Sequence, residues 1–290
     1  MAGVTESLAG RIALLDLLPF SLPEIAAVRE PDLAEVLWLG GYPEPVIFPT
    51  SRDSWVRSYL ATYVERDVRQ LSAIQDLKAF EMLLGLAAAR HGQELKVAEL
   101  ARDTGFSQPT TKSWIGLLEA SYIVFQLPPF FEHFGKRVIR SHRLYFVDSG
   151  LVATLTRQPS AEAALAGALA GPLFEGLIII EALKAFAVQG KRPDLFFWRS
   201  HDGLEVDLIL PVRERLLPIE IKLTATPLPR HVEPIEKFKK LAASRAAMQG
   251  ILVCRVDRER LLPGGNLALP WQQWPDRVAE LIRSGELAAS

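Results

Sequence analysis

Between residues 194 and 223 the chain leaves room for little except β-structure. "DLFFWRS", "LEVDLIL" and "LLPIEIKL" are short apolar-rich runs separated only by "HDG" and "VRER". Runs of this length between turn signals read as strands, and Asp202-Gly203 favours a hairpin between the first two. Val206, Leu208 and Leu210 alternate with Glu205, Asp207 and Ile209, while Ile219, Ile221 and Leu223 alternate with Glu220 and Lys222. Side chains alternate across a strand, so Glu205 and Asp207 share one face, as do Glu220 and Lys222. If the two strands pair with that face inward, Asp207 and Glu220 converge. Opposed carboxylates repel unless a cation lies between them, and Mg²⁺ or Mn²⁺ suits oxygen ligands. Such a metal lowers the pKa of a bound water and stabilises charge on a phosphate. Lys222, one pleat away, is placed to hold that water or phosphate as a point charge. A half-exposed strand facing solvent gives the same alternation with no ligand at all, so both readings stand.

The surrounding elements extend the pattern. "GPLFEGLIIIEALKAFAVQG" is a helix bounded by glycines, "HVEPIEKFKKLAASRA" is a second helix, and "GILVCRV" is an almost wholly apolar, hence central, strand. The order is α-β-β-β-α-β, and "LPWQQWPDRVAELIRS" ends in a further helix. Glu175 sits on the first helix near the same end as the acids. Glu181 lies six positions on, about 240° round the helix, so the two cannot point into one site.

Upstream, "KVAELARDTGFSQPTTKSWIGLLEASYIV" reads helix, turn, helix. Gly105 permits the turn, Ser107 caps the second helix and Pro109 sits in its first turn. Trp114, Leu117, Leu118 and Ile123 are expected in the core; Gln108, Thr110, Thr111, Lys112 and Ser113 are expected outside. "YIVFQLPPFF" and "KRVIRSHRLYFVD" then read as two strands, which completes a winged helix. Such a fold places its second helix in the major groove of DNA. Between residues 90 and 145 eight basic side chains meet five acidic ones, an excess of three, with half of the basic ones in 136–143. Lys112 and Thr110 on the helix and Arg137 and Arg140 on the wing are the candidate contacts to double-stranded DNA. Packing against neighbouring elements is the alternative use of the same fold.

Residues 1–50 hold Pro19, Pro23, Pro31, Pro43, Pro45 and Pro49, which leave room only for short helices near 4–16 and 31–38. Residues 51–92 read as two helices, the first with a Trp55, Tyr59, Leu60 and Tyr63 stripe and the second stopping at Gly92. The stripe suits helix packing, base stacking or a docking surface. Residues 151–168, "LVATLTRQPSAEAALAGA", read as a connector. The division expected is 1–50, 51–92, 93–150 and 151–290.

Composition narrows function mainly by exclusion. The 290 residues are 49% hydrophobic and 23% charged, with a formal net charge of −1, which argues against non-specific coating of nucleic acid. Cys254 is the single cysteine, so no internal disulfide or cysteine zinc cage can form. His91, His133, His142, His201 and His231 show no metal-ligand spacing. No signal peptide and no span of ~20 apolar residues is visible, so a soluble cytoplasmic protein away from membranes is expected. Asp148 in "YFVDSGL" follows an apolar strand as a helix cap or turn residue would.

The helix-borne Glu, the Asp on a hairpin strand and Glu-x-Lys on the next strand together resemble the PD-(D/E)XK nuclease superfamily. That resemblance implies Glu175, Asp207 and Glu220 as metal ligands for Mg or Mn, and Asp207, Glu220 and Lys222 as the residues of phosphodiester cleavage. The fold is reused with inactive sites, so the motif implies fold more firmly than activity. More broadly, "VTESLAGRIALLDLLPFSLPEI", "LWLGGYPEPV", "SWVRSYLATYVERDV", "YFVDSGL", "LFEGLIIIEALK" and "WRSHDGLEVDLIL" resemble, in order, the C-terminal region of bacterial and archaeal AAA+-like P-loop ATPases. Those carry a winged helix and a nuclease-like domain of unknown function after the motor. The resemblance implies a multidomain α+β or α/β protein with a helical N-terminal part, a winged helix-turn-helix and an αβββαβ nuclease-like domain. It places residues 1–50 at the end of an ATPase domain, and it implies an ATPase partner upstream or in trans. No G-x-x-x-x-G-K-[ST] occurs, so no residue here is assigned to ATP. The expected function is a nucleic-acid-interacting module, with a Mg-dependent endonuclease and a non-catalytic, self-associating or regulatory module as the alternatives.

Overall fold

A computed structural model describes residues 16–64, 76–130 and 141–284, a mixed α/β architecture with two sheets among them. The expected helix near 4–16 and the candidate contacts Arg137 and Arg140 lie outside the described residues.

The N-terminal part is a run of short helices, α1 (Leu22–Val28), α2 (Leu33–Leu39) and α3 (Pro43–Ile47), followed by α4 (Arg52–Thr62) and α5 (Leu77–Ala88). Prolines open α1 and α3, where no backbone N–H is missed. Asp32 caps α2 by accepting from Glu35 N at 3.0 Å, and Gly40, at φ 76°, ends it. The aromatic stripe packs internally: Trp55 and Tyr59 stack at 5.1 Å between centroids, and Tyr42 leans on both.

Next come the short strand β1 (Gln93–Glu94), α6 (Val97–Thr104) and α7 (Gln108–Ala120). Gly105, in the left-handed region, ends α6, and Ser107 caps α7 through Thr110 N at 3.2 Å. Strands β2 (Val124–Leu127) and β3 (Arg143–Phe146) follow, and the three form a small antiparallel sheet in the order β1-β3-β2. Trp114, Leu118 and Ile123 are buried as expected, but so is Thr111, because its hydroxyl turns back to Ser107 O at 3.1 Å.

Residues 151–168 are more than a connector. They form α8 (Ser149–Leu155) and α9 (Ala161–Ala166), capped by Asp148 and Ser160. Small residues let α8 and α9 pack against α2: Gly150 meets the Leu39 carbonyl so closely that any Cβ would collide with it.

The second sheet starts after α10 (Ala170–Val188). Strands β4 (Phe196–Arg199), β5 (Glu205–Val212) and β6 (Arg215–Ile221) are consecutive antiparallel neighbours. Then α11 (Glu233–Ala242) leads to β7 (Ile251–Cys254), which pairs parallel to β6. The α-β-β-β-α-β order read from the sequence is therefore the order observed. The sequence reading passed over β8 (Arg260–Leu262) and β9 (Asn266–Pro270), which form an edge hairpin after β7 and precede α12 (Trp274–Arg283). Their runs are only three and five residues long and contain Pro263, Gly264 and Gly265 between them. The final order is β4-β5-β6-β7-β9-β8.

One face of this sheet packs Leu208, Ile219, Ile251 and Leu269 against Phe174 and Ile178 of α10 and Trp274 and Val278 of α12. The other face packs against Phe238 and Ile235 of α11. Burying both faces explains why β5 and β6 hold hardly any exposed residue, unlike the half-exposed strands their alternation also allowed. A register shift between β4 and β5 at Phe196/Trp198 moves Val206 into the cluster of Trp198 and Phe238, apart from Leu208.

Candidate functional site

Ladder pairing between β5 and β6 runs from Val212↔Arg215 to Leu208↔Ile219. One step beyond, the strands separate. The Asp207 carboxylate then takes the β6 backbone N–H that a strand neighbour would otherwise accept, Ile221 N to Oδ2 at 2.9 Å. The splay opens a cleft of about 720 Å³ lined by Glu205, Asp207, Glu220 and Lys222 from the strands and by Lys237 and Lys240 from α11.

Asp207 and Glu220 are 5% and 1% exposed, so both carboxylates are buried in the cleft wall. Lys222 Nζ lies between them, 2.7 Å from Asp207 Oδ2 and 2.8 Å from Glu220 Oε2. The cation that opposed carboxylates require is thus supplied by the chain itself. Burial first, and the Asp207 charge next, push the Glu220 carboxyl well above the usual carboxylate range, against the pull of Lys222. Burial works against the Lys222 charge, but Asp207 and Glu220 outweigh it and hold the ammonium charged above its ordinary range. Glu220 Oε1 is buried with no hydrogen-bond partner.

Glu175 has a different neighbourhood. Its Oε1 accepts from Tyr145 Oη at 2.6 Å and from Arg143 at 2.9 Å. The other arm of the Arg143 guanidinium donates to Glu205, which Arg199 also approaches at 3.3 Å. Burial, then the Asp207 charge, raise the Glu175 carboxyl to about 7, opposed by Arg143 and Tyr145. Arg143 and Tyr145 belong to β3 of the small sheet, so the two sheets meet at this acid cluster. The sequence reading counted Arg143 in the basic 136–143 stretch of the wing without naming it as a contact. It is instead buried among carboxylates, over the Phe197 ring at 5.1 Å. Its only sequence signal was an arginine opening a run, "RLYF", that is otherwise apolar.

Glu181 stays apart, as the helix geometry required. It is 1% exposed, pairs with Lys184 at 2.9 Å and accepts from Leu22 N at 2.8 Å, while Lys184 donates to Phe20 O at 2.8 Å. Asp148, too, is a cap: it accepts from Leu151 N at 2.9 Å and Gly41 N at 2.7 Å, fixing α8 to the α2 turn. On α7, Lys112 is exposed, whereas Thr110 is half-buried with its hydroxyl 2.8 Å from Ser107.

Among the described residues no group of three or more His, Cys, Asp or Glu side chains is arranged to hold a metal ion. Asp207 and Glu220 are the two residues that would hold a hard divalent cation of the Mg²⁺ type, and Lys222 Nζ, which lies between them, would have to give way first. The unpartnered Glu220 Oε1 is the atom that such an ion would satisfy.

Comparison with known proteins adds domains without functions. Residues 30–162 match the model of a domain of unknown function (DUF8612), and residues 170–274 match another (DUF4143). Uncharacterized proteins of Mycobacterium bovis and Mycobacterium tuberculosis are each 32% identical over 226 residues, covering 77% of this chain and 49% of theirs. The chain spans about half the length of these curated relatives. No solved structure matches. No helix among the described residues is long and apolar enough to cross a membrane.

Proposed function

We propose that this chain is a nucleic-acid-interacting module in which a winged helix adjoins a PD-(D/E)XK nuclease-like sheet, working with a P-loop ATPase portion upstream or in trans. The observation that carries the reading is the convergence of Asp207, Glu220 and Lys222 in an open cleft edged by exposed Lys237 and Lys240. A phosphodiester fits such a cleft chemically. Lys237 and Lys240, one helical turn apart on α11, attract its charge, Lys222 supplies a point charge beside the acids, and the carboxylates hold any accompanying Mg²⁺ or Mn²⁺. Support for the winged helix is the cap, turn and strand order of 93–147, with Lys112 exposed on its second helix.

The test is fluorescence anisotropy of a labelled duplex. Binding should fall steeply between about 50 mM and about 200 mM salt, and combined Lys222→Ala, Lys237→Ala and Lys240→Ala changes should flatten the salt slope. Absence of salt-dependent binding at low ionic strength sinks the reading.

A second reading, a Mg²⁺- or Mn²⁺-dependent endonuclease, is favoured by the unpartnered Glu220 Oε1. Bound there, a metal would supply Lewis acidity and an activated water. Asp207→Ala and Lys222→Ala should then abolish nicking of plasmid or branched DNA. No nicks at high protein with Mn²⁺ count against it. The third, a non-catalytic regulatory module, draws on Lys222 Nζ already lying between Asp207 and Glu220, and predicts stable self-association by light scattering.

A further inference from the structure

Away from the cleft, three parts of the chain enclose a smaller pocket of about 180 Å³. Leu18 of the N-terminal segment, Val124 and Phe125 of β2, and Leu183 and Ala187 of α10 give it apolar walls. No lining residue is shared with the cleft. The volume is close to the ~150 Å³ that holds one benzene ring in an apolar cavity, and below the ~300 Å³ at which drug-sized sites begin. One ring or one branched alkyl group fits; a nucleotide does not.

The polar part of the lining is one-sided. Asp16 and Glu119 bring two exposed carboxylates to the mouth of the pocket, and neither forms an ion pair with another described residue. Both are met only by neutral donors: Asp16 accepts from the Tyr122 hydroxyl, and Glu119 accepts from Gln126 Nε2 at 2.6 Å. The cationic side chain of the lining, Lys191, is turned to α12, where its Nζ donates to Ile282 O at 3.1 Å. Tyr122, beside the same acid, is held in the left-handed region at φ 57°, a conformation that costs a non-glycine residue energy. Two carboxylates without a counter-ion, over an apolar pocket, attract a positive head on an apolar body and repel an anion. The aromatic faces of Tyr122 and Phe125 act in the same direction.

We propose that this pocket binds a small organic cation, a primary amine carried on a single aromatic ring or a branched alkyl group. The ammonium is taken by Asp16 and Glu119, and the apolar body lies among Leu18, Val124, Leu183 and Ala187. The site is independent of the cleft and of nucleic-acid binding. Because the N-terminal segment, β2 and α10 each supply lining, the ligand joins all three, and by binding only the folded chain it stabilises their junction by mass action.

The experiment titrates the full chain, without nucleic acid, with benzylamine, benzyl alcohol and benzoate, three probes that share a ring and differ in charge, followed by amide NMR shifts. Benzylamine should bind with a Kd of about 1–10 mM, the range open to so small a ligand, and should shift residues 122–125 and 183–191. Benzyl alcohol should bind about fivefold more weakly, and benzoate should not bind. Combined Asp16→Asn and Glu119→Gln changes, both at exposed positions the fold tolerates, should weaken benzylamine about fivefold and leave benzyl alcohol unchanged. Ala187→Leu, which fills the pocket, should weaken both. Equal binding of the three probes overturns the proposal, as does a benzylamine affinity indifferent to the double change. Shifts confined to the cleft residues 204–208 and 220–224 overturn it too. So does an absence of benzylamine binding at concentrations well above about 10 mM, whatever fills the pocket instead.

Discussion

Glu175 and Glu181 lie on one helix, α10, and occupy opposite electrostatic settings. Around Glu181 the account balances: one carboxylate, one ammonium, and backbone donors and acceptors from Phe20 and Leu22 that use the remaining valences. Around Glu175 it does not. Glu175, Glu205, Asp207 and Glu220 face Arg143, Arg199 and Lys222, an excess of one acid, with one carboxylate oxygen unpartnered. A balanced, closed cluster ties chain segments together. An acid-rich cluster beside an open cleft holds unfavourable charge that a bound cation can relieve. The difference identifies the second as the candidate site and the first as a clamp joining the N-terminal segment to α10.

Breaking the clamp should have the largest effect. Lys184→Met leaves Glu181 buried without its cation, and stability should drop by about 3–5 kcal/mol in urea unfolding. A loss under about 1 kcal/mol would mean that the clamp does not carry the fold.

His91, packed between Tyr145, Phe146 and Gly176 on the clamp side, gives the next effect and a pH signature. Its Nδ1 accepts from Phe146 N at 3.0 Å, and burial drives the imidazole down to about 3 from 6.5. A depressed histidine stays neutral in the native state while the unfolded chain takes up a proton below about pH 6.5. Stability therefore falls as the pH drops from about 6.5 toward about 3, by about 1.4 kcal/mol per pH unit. Against His91→Gln, which has no such titration, the parent's stability advantage should shrink between about pH 7 and about pH 4.5. A constant difference between the two unfolding curves would refute this.

The cleft should respond in the opposite sense to the clamp, and least in magnitude. Glu220→Gln keeps the side-chain shape but removes a charge that burial and Asp207 both disfavour. Stability should be unchanged or rise by up to about 1 kcal/mol. A loss comparable to that of Lys184→Met would erase the contrast between the two clusters.

Much of this was visible in the residues before folding. Strand alternation placed Asp207, Glu220 and Lys222 on one wall, and helix geometry separated Glu175 from Glu181. Asp148 and Ser107 announced their caps. What escaped has physical causes. Arg143 reads as a surface charge because sequence gives no view of which carboxylates a β-strand will meet from another sheet. Thr111 reads as exposed because a hydroxyl that bonds back to its own helix can be buried. The β8–β9 hairpin hides in runs too short for a periodic signal, and α8 and α9 hide in small residues whose value lies in close approach to α2.

The central claim, that the β5–β6 splay is where nucleic acid binds, is tested most directly by hydrogen–deuterium exchange of the full chain with and without duplex DNA at low salt. Slowed exchange in 204–208, 220–224 and 234–241 is the result expected, and it should disappear when Lys222, Lys237 and Lys240 are all replaced by alanine. Unchanged exchange in these three segments, with protection elsewhere or nowhere, would contradict it.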